Sequence, residues 1–138
     1  MSELAERGFA VAWHATEGSF GDGLGQLQQR YGFARIETMV LMAGMDLPMR
    51  AIREQISHAI NIVVQQSRMR DGSRKITKIS EITGMEGDII VMQDLFVFEY
   101  SDNVKGKLGE LEATGIIPNF LDRLSQRDVY LSQDLFRR

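Results

Sequence analysis

The sequence contains no cysteine, only two prolines and only two histidines, His14 and His58, among its 138 residues. Without cysteine the chain has no thiol nucleophile, no disulfide and no cysteine-ligated zinc. Two histidines are too few for a histidine-rich metal centre. These absences exclude several common classes of enzyme and metalloprotein, and we expect no metal site in this chain.

Long apolar runs and a strong excess of one charge are also missing. The formal net charge is -3, which offers no global attraction to nucleic acid or to an anionic membrane surface. Every apolar run is interrupted by a polar residue or glycine well before the roughly 18 residues that a membrane-spanning helix needs. Acidic Glu3 and Glu6 are unlike the start of a signal peptide. We therefore expect a cytoplasmic protein with no direct membrane span and no nucleic-acid partner.

Residues 1–33 differ in composition and apolar pattern from residues 34–138. Glycines recur in the first segment without any sustained apolar period, which predicts loops or poor order. From Ala34 the pattern becomes regular, because Ile36, Met39 and Val40 recur at helical spacing and Gly44 is a suitable stop. We therefore divide the chain at residue 33 and expect one domain over residues 34–138.

A second helix and a small sheet are predicted beyond Gly44. Asp46 and Pro48 are suited to the start of a helix whose Ile52 and Ile56 share one face. The Asp71–Gly72 pair predicts a hairpin turn with positive φ. The remaining predicted elements are strands at 62–64, 74–83 (with a bulge), 89–92, 95–100 and 111–114, a short helix opened by Pro118, and apolar anchors at Leu135 and Phe136.

Candidate catalytic and phosphate-binding patterns are few. The chain has no glycine loop ending in Gly-Lys-Ser or Gly-Lys-Thr, so it lacks the standard cradle for nucleotide phosphates. His14 and Glu17 stand three apart, a spacing that could place two polar groups on one helical face, but Gly18 favours a surface loop. Four acidic residues, Glu81, Glu86, Asp88 and Asp94, are dispersed along the predicted strands and turns and indicate a solvated sheet edge.

Basic residues surround the predicted Asp71–Gly72 turn, namely Arg68, Arg70, Arg74 and Lys75. Guanidinium groups clustered in this way could bind a phosphate, or a carboxylate of a neighbouring subunit, through paired hydrogen bonds. The alternative is a solvated hairpin tip with no ligand, which composition alone favours. Both interpretations remain open from the residues themselves.

Four strings of the sequence resemble the Flp or tight-adherence pilus assembly ATPase CpaF, a member of the type II and type IV secretion ATPases. The first, from Arg35, reads RIETMVLMAGMDLPMRAIREQ. The others are VQQSRMRDGSR from Val64, GMEGD from Gly84 and ATGIIP from Ala113, in the same order as in that family. The resemblance covers residues 34–138.

The resemblance implies the C-terminal portion of a RecA-like P-loop ATPase domain, with short helices and a small β-sheet in an α/β fold. It further implies a hexameric cytoplasmic motor, peripheral to the inner membrane, that uses ATP with magnesium and works with pilus or secretion assembly proteins. Arg68, Arg70 and Arg74 then become candidates for contacts to nucleotide or to the adjacent subunit. With both Walker motifs absent, we expect this chain alone to bind no cofactor and to be inactive.

Residues 1–33 depart from that family. The histidine box of the family is reduced to a remnant around His14 and Glu17, so we interpret the segment as poorly ordered or frame-disrupted. One explanation is a reading-frame error, because one encoding of Gly25-Gln26-Leu27 yields Ala-Asn-Ser in the next frame. The rival hypothesis for the whole chain is a freestanding, non-enzymatic α+β interaction module with a basic hairpin and a methionine-rich helix junction.

Overall fold

The computed structural model describes residues 11–16, 24–44, 47–69, 71–101 and 109–138. In chain order its elements are β1 Val11–Thr16, α1 Leu24–Met42, α2 Met49–Ala59, β2 Ile62–Arg68, β3 Arg74–Glu86, β4 Ile89–Tyr100, β5 Gly109–Ala113, α3 Phe120–Ser125 and a 3-10 helix Gln133–Phe136. The strands form one sheet in the order β1-β2-β3-β4-β5. The described part of the chain is an α/β structure, as the sequence predicts.

The sheet combines a parallel pair with an antiparallel meander. Strands β2 to β5 pair antiparallel, whereas β1 pairs parallel to β2. Parallel neighbours cannot be joined by a tight turn, and α1 and α2 lie in the connection from β1 to β2. The β2–β3 turn contains Gly72 at a positive φ of 86°. The predicted positive φ is confirmed at Gly72.

The predicted bulge in β3 is confirmed. The register between β2 and β3 shifts between Gln65 and Gln66, which pair with Lys78 and Ile76, so Thr77 is an extra residue of β3. A second shift, against β4, lies between Ile82 and Gly84. Each shift adds a residue to one strand and rotates the following side chains to the other face. The extra Thr77 explains how Ile76 and Ile79, three residues apart in sequence, belong to one strand.

Apolar side chains pack on both faces of the sheet. The adjacent residues Ile62 and Val63 contact different clusters, as alternating strand residues must when each face is covered. The cluster beneath α1 and α2 contains Phe33, Ile52, Ile56, Val63 and Ile82. The cluster formed with the C-terminal segment contains Leu95, Phe120, Leu124 and Phe136.

The loop prediction for residues 1–33 is wrong at two places, because β1 and the first part of α1 lie there. Helix α1 begins at Leu24 and not at Ala34, and it passes through Gly25 and Gly32. Each glycine inside a helix costs about 1 kcal/mol relative to alanine, but Phe33 is buried against α2 and the sheet. Tertiary packing therefore overrides the local signal.

The predicted end of α1 and the predicted face of α2 are confirmed. Gly44 has a φ of 78°, and its backbone N–H donates to the carbonyl of Leu41 at 3.1 Å. Pro48 is the N-cap residue of α2, and Ile52 and Ile56 are buried on its inner face. Asp46, the other predicted start signal, lies outside the described residues.

The C-terminal third differs from the prediction in detail. Strand β4 continues through the predicted break at residues 93–94, and β5 begins at Gly109. Glycine is required there, because a Cβ at Gly109 would collide with the carbonyl oxygen of Glu99. Phe136 is buried as predicted, whereas Leu135 is 55% exposed and does not anchor the tail.

A buried carboxylate joins this C-terminal segment to the sheet. Glu81 on β3 is 4% exposed. Its Oε1 accepts a hydrogen bond from the backbone N–H of Phe120 at 2.9 Å, and its Oε2 accepts from the backbone N–H of Asn119 at 3.0 Å. Oε2 also accepts from the side-chain amide of Gln93 at 2.6 Å. The start of α3 is thus held by a side chain from the middle of the sheet.

The carboxylate of Asp94 also accepts hydrogen bonds within the sheet. Its Oδ1 accepts from the hydroxyl of Ser80 at 2.7 Å, and its Oδ2 lies 2.9 Å from Nζ of Lys78. The prediction of a solvated edge is therefore wrong for Glu81 and Asp94, whereas Glu86 and Asp88 are exposed. Glu81 is buried beneath a segment far along the chain, whereas Asp94 is bonded to the neighbouring strand.

We predict that Glu81→Gln lowers the free energy of unfolding by about 2–4 kcal/mol, because the new amide NH2 faces donors and leaves buried groups unpaired. The measurement is a urea unfolding curve monitored by circular dichroism. Glu86→Gln, on the exposed end of the same strand, is the control and should change stability by less than about 0.5 kcal/mol. Equal stability of the two variants would contradict this account of Glu81.

Candidate functional site

The basic hairpin predicted from the sequence forms at the β2–β3 connection. Arg68 and Arg74 are directly opposite each other in the antiparallel register, and both are exposed. Directly opposed residues have Cβ atoms about 4.5–5.5 Å apart, and like charges there are destabilising. Lys75, the next residue of β3, is also exposed. The arrangement places these three cations at one turn, beside the carboxylate of Asp71.

The turn that carries these residues is fixed by local hydrogen bonds. The backbone N–H of Met69 donates to the carbonyl of Ser73 at 2.7 Å, and the N–H of Gly72 donates to the carbonyl of Met69 at 3.0 Å. Oδ1 of Asp71 accepts from the hydroxyl of Ser73 at 2.7 Å and from its backbone N–H at 2.9 Å. Met69 is 5% exposed, so the base of the hairpin is packed as well as hydrogen-bonded.

The hairpin lies at the carboxyl end of the parallel strand pair. Thr16 at the end of β1 pairs with Ser67, and Arg68 follows as the last residue of β2. Ligands of open α/β sheets bind outside the carboxyl ends of parallel strands, because loops from neighbouring strands converge there. The position of Arg68 and Arg74 is therefore one at which α/β proteins commonly bind a ligand.

The other predicted site residues are only partly within the described chain. His14 belongs to β1 and is opposite Gln65 of β2. Its backbone is extended, so both the loop expectation and a helical face shared with Glu17 are wrong for this position. Glu17 and Arg70 lie outside the described residues.

Sequence reasoning missed a second polar region, at the opposite end of β3. There Nε of Arg53 lies 2.7 Å from Oε1 of Glu37, and Nη1 of Arg53 donates to the carbonyl of Asp88 at 3.1 Å. The hydrogen bond and the charge of Glu37 raise the pKa of Arg53. These contacts join α1, α2 and the β3–β4 turn beside a cleft that includes Arg50 and Arg123. The sequence signal was the helical spacing of three charged residues on α2, namely Arg50, Arg53 and Glu54.

No protein-family model and no curated protein sequence matches the chain. The relationship to secretion ATPases therefore depends on the four sequence strings and is taken up below as a proposal. Among the helices in the described ranges, none has both the length and the apolar character needed to cross a membrane.

We predict that the pKa of Asp71 lies below its ordinary value of 3.8, chiefly because of the hydrogen bond from the Ser73 hydroxyl. In an NMR titration of the Asp71 carboxyl, Ser73→Ala should raise this pKa towards 3.8. Lys75→Ala, which removes a smaller contribution, should raise it less. Identical titration curves in wild type and Ser73→Ala would contradict the hydrogen-bonded turn.

The lowered pKa of Asp71 also makes the stability of the folded chain depend on pH. Since the folded-state pKa of Asp71 is lower than the unfolded one, the carboxylate stabilises the folded chain above the unfolded pKa. That contribution is lost as the pH falls through the folded-state value.

Proposed function

We propose that this chain, in which residues 34–138 carry the four matching strings, is the C-terminal part of a motor ATPase of the type II and type IV secretion family, similar to the Flp pilus assembly ATPase CpaF. In this proposal the domain is RecA-like, and the intact motor is a cytoplasmic hexamer peripheral to the inner membrane. The motor couples hydrolysis of ATP with magnesium to pilus assembly or protein secretion. This chain contributes the end of the sheet and a set of arginines, and it contains no Walker motif.

The layered α/β structure supports the proposal. A RecA-like lobe requires parallel strands joined by helical crossovers, and β1, α1, α2 and β2 form one such unit. Both faces of the sheet carry apolar clusters, as expected for a sheet within an α/β domain.

The four sequence strings carry the proposal, and the arginine hairpin is the structural observation that supports it. Arg68 and Arg74 are exposed, opposed across two strands and located at the carboxyl ends of the parallel pair. Guanidinium groups match the geometry of phosphate oxygens and stabilise charge that develops during phosphoryl transfer. In the proposed motor they contact nucleotide phosphates or the adjacent subunit, and Arg70 belongs to the same set. The nucleotide itself is held by residues that this chain does not contain.

A second candidate function is a freestanding, non-enzymatic interaction module. Its support is the outer surface of α1, where Met39 is 62% exposed and Met42 is 82% exposed. Methionine side chains are adaptable and are common at surfaces that bind protein partners. An interaction module of this kind would not support ATP hydrolysis in any context, so the next experiment separates the two functions.

We predict that residues 11–138, which include β1 and the whole of α1, can replace the corresponding C-terminal segment of a motor ATPase of this family, with magnesium-dependent hydrolysis retained. In this chimera, replacing both Arg68 and Arg74 by alanine should lower kcat by about tenfold or more, because positive charge near the phosphates is lost. The measurement is steady-state phosphate release, accompanied by gel filtration to confirm an unchanged oligomer.

The matched control is Arg127→Ala, an exposed arginine of the C-terminal segment away from the hairpin. It should leave kcat within about twofold of the parent chimera. An assembled chimera without hydrolysis would contradict the motor assignment. Full hydrolysis in the double variant would contradict the role of the hairpin alone.

A further inference from the structure

A cleft of about 460 Å³ opens at the end of β3 opposite the arginine hairpin. It lies between α2, the last residues of β3 with the following turn, and Arg123 of α3. Arg74 and Met85 are eleven positions apart on β3, which corresponds to about 35 Å along the strand. The cleft is therefore a separate region from the hairpin, and its size is within the range of about 300–1,000 Å³ typical of small-molecule sites.

Helix α2 presents a polar face to this cleft. Arg50, Glu54, Ser57 and His58 line it and recur at spacings of three and four residues, which places them on one side of the helix. The opposite side of α2 is anchored in the core by buried isoleucines. The polar face is thus held in a fixed orientation by apolar packing.

The strand side of the cleft is apolar at its base and open above it. Ile82 is 8% exposed and lines the cleft, which continues along Gly84 and Gly87. These two glycines have φ values of 143° and 60°. A Cβ added at either would meet no atom within 4 Å, so their backbone borders open space that a ligand could fill.

Two guanidinium groups from different elements line the same cleft. Arg50 comes from the first turn of α2, and Arg123 comes from α3. Nε of Arg50 lies 3.7 Å from Oδ1 of Asp88, and their side chains are 72% and 65% exposed. An exposed, long ion pair of this kind contributes little. A ligand anion can therefore replace Asp88 as the partner of Arg50 with little loss.

The charged residues that line the cleft indicate which kind of ligand it can bind. Two arginines that reach one cleft from separate elements suit a phosphate, whose three terminal oxygens can accept hydrogen bonds from both. Glu54 lines the same cleft and repels a bare anion, but it accepts a hydrogen bond from a hydroxyl. The combination therefore favours a ligand with both an anionic and a hydroxyl end.

We propose that this cleft binds a small phosphate ester that carries hydroxyl groups. Its phosphate accepts hydrogen bonds from Arg50 and Arg123, and a hydroxyl of its organic part donates to the carboxylate of Glu54. The site is independent of the arginine hairpin and of the motor assignment. It would be present whether the chain acts as part of an ATPase or as an interaction module.

The test is an NMR titration of the 15N-labelled 138-residue chain with glycerol 3-phosphate. We expect saturable shifts of amide signals around Gly84 and Gly87. Arg50→Gln and Arg123→Gln should each weaken binding by about tenfold, since each removes a charged hydrogen-bond donor. Arg127→Gln, in the same C-terminal segment but outside the cleft lining, is the matched control and should bind as wild type does.

Two further measurements examine the ester assignment. Inorganic phosphate should bind about tenfold more weakly than glycerol 3-phosphate, because it lacks the organic part whose hydroxyl reaches Glu54 while the phosphate is bound by the two arginines. Glu54→Gln should bind inorganic phosphate more tightly than wild type does, because a negative charge is removed. If Arg123→Gln does not fold, Arg123→Lys keeps the charge and should still weaken binding by losing the paired donors.

Three results would overturn the proposal. The first is the absence of saturable shifts with glycerol 3-phosphate. The second is wild-type affinity in folded variants of both Arg50 and Arg123. The third is equal affinity for inorganic phosphate and glycerol 3-phosphate, which would show a simple anion site without recognition of the ester.

Discussion

A buried carboxylate, Glu81, fixes the C-terminal segment on the sheet, where an apolar cluster also packs. Glu81 lies in the middle of β3 and accepts two backbone hydrogen bonds from the start of α3, in addition to one from Gln93. A buried carboxylate is costly unless its oxygens are bonded, and here the bonds come from a segment almost forty residues further along the chain. Glu81 therefore both requires and positions the helix that brings Arg123 to the cleft.

The local signals of the sequence were sufficient where the deciding contacts are close along the chain. The β2–β3 hairpin, the stop at Gly44 and the inner face of α2 follow from turn chemistry and apolar spacing. The bulged course of β3 could also be anticipated, because its isoleucine spacing fits no regular strand. Each of these features is determined by fewer than about fifteen consecutive residues, a range in which periodicity is informative.

The features that the sequence did not predict depend on contacts between residues that are far apart along the chain. Nothing adjacent to Glu81 in sequence distinguishes it from exposed Glu86, because its partners Asn119 and Phe120 become neighbours only in the folded chain. Helix α1 contains glycines, which disfavour a helix, and the burial of Phe33 stabilises it. The cleft was missed for the same reason, since Arg50 and Arg123 are brought together by tertiary structure.

The arginine hairpin and the cleft lie at opposite ends of β3, and they are formed by different parts of the fold. The arginine hairpin is formed by local turn geometry at the carboxyl end of a parallel strand pair. The cleft depends on α2, the β3–β4 turn and the segment held by Glu81. A change that loosens the C-terminal segment should therefore alter the cleft while leaving the hairpin intact.

The central proposal is that this chain supplies arginines and part of a sheet to a nucleotide motor but lacks the Gly-Lys-Ser or Gly-Lys-Thr loop that holds nucleotide phosphates. Magnesium-dependent ATP hydrolysis by the purified 138-residue chain tests that claim most directly. We expect no phosphate release above a no-protein control, in the presence or absence of magnesium. Turnover that disappears when magnesium is chelated would contradict the claim.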